Sequence, residues 1–142
     1  MDSIPIMAHI SRKSLKRKTL DRISQELIEI IAHTRSRKET KALLEEFLTP
    51  TERIMLGKRL AVIYMIIKGY PFSLIETTLK VSPSTVALAW KASKRGAFPL
   101  MSRKIASEKT KKEFWESLES ILRAGMPPMG KRRWRMLKKL HQ

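Results

Sequence analysis

The stretch whose residue types and spacing can do chemistry is Ser82-Pro83-Ser84-Thr85, followed by Leu88, Lys91, Lys94 and Arg95. The chemistry is binding, not bond breaking. Small hydroxyls at a helix start reach base edges or phosphates, an apolar leucine suits a thymine methyl, and cations further along neutralise phosphates. Ser82 is a helix cap, and Pro83 falls at the first helical position, where its missing N–H costs little. A helix from Pro83 to about Lys94 is therefore predicted. Upstream, Ser73 and Glu76 stand at capping-box spacing, and Ile75 and Leu79 share one face, which predicts a shorter helix. Lys80-Val81-Ser82-Pro83 is the break between the two. Val86 and Trp90, four apart, are expected to pack back on Ile75 and Leu79, so that Trp90 belongs to the core. Ser84, Thr85, Leu88 and Lys91 then point outward. Two short helices with small polar and basic outward residues form the pattern of a helix-turn-helix reader over about 73–94, with Ser73 adding a hydroxyl at its start. The same arrangement occurs in all-α domains that touch no nucleic acid, so the rest of the chain must decide.

No second constellation competes with it. His9, His33 and His141 are isolated, with no partner at metal-ligand spacing, and there is no cysteine. Gly57-Lys58-Arg59 lacks the glycine-rich run of a phosphate loop. Glu45 and Glu46 are neighbours on a helix and point different ways. No nucleophile stands with a base. Neither catalytic residues, a metal nor a cofactor is expected, and the chain does not read as an enzyme.

The elements that must position these residues follow from periodicity and charge. The 142 residues carry 30 Lys plus Arg against 13 acids, a net charge of +17 that favours a polyanion partner. Five glycines and few strand-like alternations point to an all-α fold. Residues 1–19 read as a flexible basic arm through Arg12, Lys13, Lys16, Arg17 and Lys18. Leu20, Ile23, Leu27, Ile30 and Ile31 form a helical stripe ending near His33–Ser36. Ser36 with Glu39 then opens a second helix, with Leu43, Leu44, Phe47 and Leu48 on its buried side. Thr49-Pro50-Thr51-Glu52 is the strongest start signal and predicts a helix to about Lys68, stopped by Gly69. Its second half, Leu60–Ile67, is apolar on every face. It must be surrounded by other helices or by a second subunit, which argues for oligomerisation. Gly96–Ser107 reads as a linker. Phe114, Trp115, Leu118, Ile121 and Leu122 make a last stripe, started by Ser107 or Thr110 and stopped by Gly125. Residues 126–142 form a basic tail with Lys131, Arg132, Arg133 and Arg135, in which Trp134 could stack on a base or sit at a membrane interface. The helical domain is thus expected over 20–125. No signal peptide is visible and the longest apolar run falls short of the about 20 residues of a membrane span, so a soluble, cytoplasmic protein is expected.

Leu48-Thr49-Pro50-Thr51-Glu52-Arg53, then Leu56-Gly57-Lys58-Arg59, then Lys68-Gly69 and the Ser84-Thr85-Val86 of the reading head resemble the Trp repressor family. Trp115-x-x-Leu118-Glu119 is similar to that family's last helix, and the likeness covers roughly residues 20–122. It implies an interlocked, all-helical homodimer that presents two helix-turn-helix heads to duplex DNA, here flanked by basic tails outside the family pattern. It also implies where an indole amino acid would be held. Thr49 and Arg59 match two of the family's pocket positions. Leu88 and Ala92 replace the arginine and the serine of the other two, and the head is one residue shorter between Gly69 and Ile75. A pocket without its second arginine cannot clamp the amino acid from both sides, so no tryptophan response is expected, and Arg59 has a salt-bridged surface role as its alternative.

The first function this supports is a DNA-binding transcriptional regulator. With no bidentate Arg, Asn or Gln in the outward set, direct readout is thin, and DNA shape and the arms contribute to choice. The alternative is non-specific DNA or RNA binding or packaging through the basic tails. A third reading is a membrane-surface or partner-binding adaptor using the C-terminal segment.

Overall fold

A computed structural model describes residues 13–107 and 112–125. Among these the fold is all-helical, with seven helices and no strand. Arg12, Thr110 and the tail residues Lys131, Arg132, Arg133, Trp134 and Arg135 lie outside the described residues, as do the side chains of Phe114 and Trp115.

The chain divides into two compact units, 1–50 and 51–142. In the first, α1 (Arg17–Ala32) and α2 (Arg37–Phe47) are joined by a short turn. Helix α1 takes in Arg17 and Lys18, which the charge pattern placed in the arm, and has no side-chain cap at Lys16. Ser36 caps α2 as expected: its Oγ accepts from the Glu39 N–H at 3.1 Å. The return bond of Glu39 goes one residue further back, to the Arg35 N–H at 2.8 Å. The α1 stripe forms, yet no residue of α1 or α2 is buried. Ile23 and Ile30 are each 54% exposed, and with Leu27, Leu43, Leu44 and Phe47 they line an open groove of about 660 Å³.

The second unit is built on α3 (Pro50–Ile67). Its stop is a Schellman turn: Gly69 sits at φ 78, its N–H bonds the Ile66 carbonyl, and the Tyr70 N–H reaches back to Met65, each at 3.0 Å. Helices α4 (Phe72–Leu79) and α5 (Pro83–Lys94) follow. Gly96, at φ 74, ends α5 in the same way, with Ala97 N–H to Ala92 and Gly96 N–H to Ser93. The stretch expected to be a linker instead holds α6 (Pro99–Ala106), with Pro99 at its start. The missed signal was the proline itself, which suits a first helical position. Helix α7 (Lys112–Ala124) ends before Gly125.

Ala61, Val62, Tyr64, Met65 and Ile66 of α3 form the core with Tyr70, Leu74 and Ile75, Val86 of α5 and Leu122 of α7. Five of the eight residues of the apolar run Leu60–Ile67 are therefore buried within their own chain, while Leu60, Ile63 and Ile67 are half-buried. Met65, Ile75 and Val86 are fully buried, and each contributes about 1.5–3 kcal/mol by leaving water.

Candidate nucleic-acid interface

Helices α4 and α5 make the helix-turn-helix. Ser82 caps α5, its Oγ accepting from the Thr85 N–H at 3.3 Å, and Pro83 takes the first helical position. The shorter helix departs from expectation: α4 starts at Phe72 behind Pro71, and Ser73 does not cap it. Proline already sets the entry angle, and Ser73, one residue inside the helix, uses its carbonyl to accept from Thr77 Oγ1 at 2.8 Å. The Ser73 side chain stays exposed at the positive end of α4.

The turn between the helices is set by Lys80. It adopts a left-handed conformation, φ 53 and ψ 48, where glycine is the unstrained residue. Two bonds hold it there. The Val81 N–H reaches the Glu76 carbonyl at 3.3 Å, and Lys58 Nζ of α3 donates to the Lys80 carbonyl at 3.4 Å. A lysine ammonium on a terminal carbonyl also favours the negative end of α4. Neither role for Lys58 nor the strain at Lys80 was read from spacing. The absence of a glycine after Leu79 was the only available clue.

Ser84, Thr85, Leu88, Lys91, Lys94 and Arg95 are all exposed. Residues 84, 88, 91 and 95 fall on one helical face, and Leu88 is 45% exposed at its centre. At the helix start three hydroxyls are linked, with Ser82 Oγ 3.0 Å from Ser84 Oγ and 2.9 Å from Thr85 Oγ1. Residues 77–107 contain six Lys or Arg and no acid, so this whole part of the molecule is positive.

Trp90 is not in the core: it is 41% exposed. Its ring meets Phe72 edge-on at 5.9 Å between centroids, and Lys94 Nζ lies 5.5 Å over it. Val86 alone makes the expected contact with the buried face. A step of four residues advances about 40° beyond a full turn, which takes Trp90 off that face onto the flank. The head thus carries an aromatic flank with a cation stacked on it, and Lys94 is drawn to that flank instead of the central face.

Thr49 is exposed ahead of α3, and Arg59 is half-buried on it. Lys13, Lys16, Arg17 and Lys18 are exposed. Among the described residues no group of His, Cys, Asp or Glu is placed to hold a metal, and no helix is long and apolar enough to cross a membrane.

Behind the head, phenols and a carboxylate converge. Tyr70 Oη donates to Glu119 Oε1 at 3.1 Å, Tyr64 Oη lies 3.5 Å from Oε2, and Arg123 pairs with Oε1 at 2.6 Å. Burial, then the charge of Glu119, pushes the Tyr70 phenol up to about 12 and raises Tyr64 as well. Both phenols therefore remain donors at any physiological pH. The spacing of Glu119 from Tyr64 and Tyr70 carried no sign of this cluster.

The family model described as Trp repressor protein matches residues 23–96, from within α1 to the glycine that stops α5. No curated protein and no solved structure matches the chain.

Proposed function

We infer, because this chain belongs to the Trp repressor family of helix-turn-helix regulators, that it binds duplex DNA sequence-selectively and regulates transcription without responding to tryptophan. The observation that carries the reading is the outward face of α5: Ser84, Thr85, Leu88, Lys91 and Arg95 exposed together in a segment devoid of acid. Ser84 and Thr85 lie in the first turn of α5, the part of a recognition helix that meets base edges. Their hydroxyls each keep bonding capacity after linking to Ser82, because a hydroxyl has one donor and two acceptor sites. Ser73, Lys91, Lys94, Arg95 and the basic segments (Arg12, Lys13, Lys16, Arg17 and Lys18, with Lys131, Arg132, Arg133 and Arg135) serve the phosphates. A homodimer, with the helical domain over 20–125 and basic arms on either side, would present two such heads. The exposed apolar face of α1 and α2 supports that assembly.

Selection from random duplex DNA tests the reading. Recovery of one preferred site, of paired half-sites if the chain is dimeric, is expected. Equal affinity for every duplex and for RNA would replace it with the alternative, non-specific binding through the basic segments. The linked hydroxyls and the lack of a bidentate base reader in α5 are what favour that alternative. Tryptophan independence follows from Leu88 and Ala92, which offer neither charge nor hydroxyl at the family's pocket positions. Thr49 and Arg59 are the two positions that still match the family's pocket residues, and the family is one of regulators, not enzymes. Adding L-tryptophan should leave affinity for the selected site unchanged, and micromolar binding by titration calorimetry would overturn that expectation.

A further inference from the structure

The residue that joins α3 to the reading head is Tyr70. It closes the Schellman turn through its N–H and is followed at once by Pro71, whose ring limits φ to −59. The direction in which α4 and α5 leave α3 is therefore set by how Tyr70 is held. The residue is 4% exposed, and its phenol bonds a carboxylate that lies 49 residues further along the chain. That carboxylate, Glu119, is gripped in turn by Arg123 one turn later on α7 and faces the fully buried Tyr64 one turn before the helix stop. Leu122, on the same helix, is buried in the core. Gly125, just after α7, stands close to Thr78 of α4. Helix α7 thus touches both sides of the α3–α4 corner, and Glu119 is the polar group that ties them.

We propose that Glu119 is a positioning residue for DNA reading: by binding the phenols of Tyr64 and Tyr70 it fixes the angle at which the helix-turn-helix leaves α3. The role rests on the DNA-reading function proposed above. Losing the Glu119 carboxylate removes the hydrogen bonds that a charged group makes to the two phenols, and with them the polar tie that holds the corner against movement. A shifted corner displaces α5 as a body, because Val86 and Ile75 bind α4 and α5 into one packed head. Phosphate contacts from long basic side chains tolerate such a shift, whereas base contacts from short hydroxyls do not.

The test uses the full chain with Glu119→Ala, Glu119→Gln and the volume-conserving Tyr70→Phe. Two quantities are read: the affinity ratio between a selected and a scrambled duplex, and amide hydrogen exchange of residues 72–94 relative to 51–66. Glu119→Ala should cut the ratio about tenfold, the size expected for one hydrogen bond to a charged group, while affinity for the scrambled duplex holds. Exchange should quicken in 72–94 and not in 51–66. Glu119→Gln, which keeps an acceptor oxygen, should restore most of the ratio. Tyr70→Phe and Glu119→Ala combined should cost no more than the worse of the two alone. Unchanged ratio and exchange in both single variants would overturn the role, as would exchange quickened uniformly, which marks general destabilisation. If the wild-type chain shows no site preference, the DNA reading itself fails and this role with it. Preference retained in every variant overturns the role alone.

Discussion

Lys80 is the point of greatest local cost in the head. A non-glycine residue in the left-handed region gives up roughly 1–2 kcal/mol, and at Lys80 that cost is met by the bonds at Val81 and from Lys58. Lys80→Gly keeps both bonds, since each uses the backbone at the turn. It should therefore raise unfolding free energy by about 1 kcal/mol, after subtracting the entropy a glycine adds to the unfolded chain. Urea denaturation measures it, and a loss of stability would mean that the lysine side chain itself holds the turn. Tyr70 makes a second residue-level prediction. Its folded pKa of about 12 lies above its ordinary value of 10.0. Between those values the folded state holds a proton that the unfolded state has released, so stability declines as pH rises. Its contribution is complete below pH 10 and is lost as pH climbs through 12. Tyr64, raised for the same reasons, moves stability in the same direction. Denaturant midpoints taken from neutral to strongly alkaline pH should fall, and the Tyr70→Phe variant should fall less steeply.

At the scale of elements the recognition helix and the basic segments divide the work. Helix α5 offers short hydroxyls and one leucine on its central face, and its cations stand toward its end. The tail 126–142 holds six basic residues and no acid. Each phosphate contact adds a slope of about −0.9 to the dependence of log affinity on log salt, and base contacts add almost none. Deleting 126–142 should weaken binding to all duplexes alike and flatten the salt dependence. Ser84→Ala with Thr85→Ala should instead lower the ratio of specific to non-specific affinity and leave the slope nearly unchanged. Fluorescence anisotropy over a salt series, with a selected and a scrambled site, reads both. A tail deletion that erased sequence preference, with the double alanine variant keeping it, would move the reading away from α5.

For the whole molecule the apolar surface that lacks cover has moved from where the hydropathy pattern put it. Helix α3 finds its partners within the chain, whereas Leu20, Ile23, Ile28 and Ile30 on α1 are each more than half exposed. A continuous apolar helix face of this kind marks an interaction surface, and a second copy fits the two-headed assembly of the family. Sedimentation should therefore show a dimer at micromolar concentration, and a stable wild-type monomer would refute it. Ile23→Asp with Leu27→Asp should yield the monomer while the core on α3, which neither residue enters, keeps its helical signal. Met65→Asp, at a fully buried position of α3, should instead unfold the chain, because a charge there is left without a partner.

What the sequence determined by itself is the local geometry. Pro50 at the head of α3, Ser82 and Pro83 at the head of α5, and Gly69 at the end of α3 act through bonds spanning only a few residues. Each was legible because cap and stop chemistry is complete within a single turn. The outward set on α5 was legible for the same reason, being a matter of helical period. Tertiary structure decided everything that depends on which surface meets which. It placed Trp90 on the flank against Phe72, where the four-residue spacing had suggested the core. It buried most of Leu60–Ile67 against α4, α5 and α7, where the run itself had left other helices and a second subunit equally open. It also brought Glu119 to Tyr70 across 49 residues. Periodicity says that a face is apolar or that a residue is charged. Which partner arrives from a distant helix is set by packing of the whole core, and that is where the angle of the reading head is held.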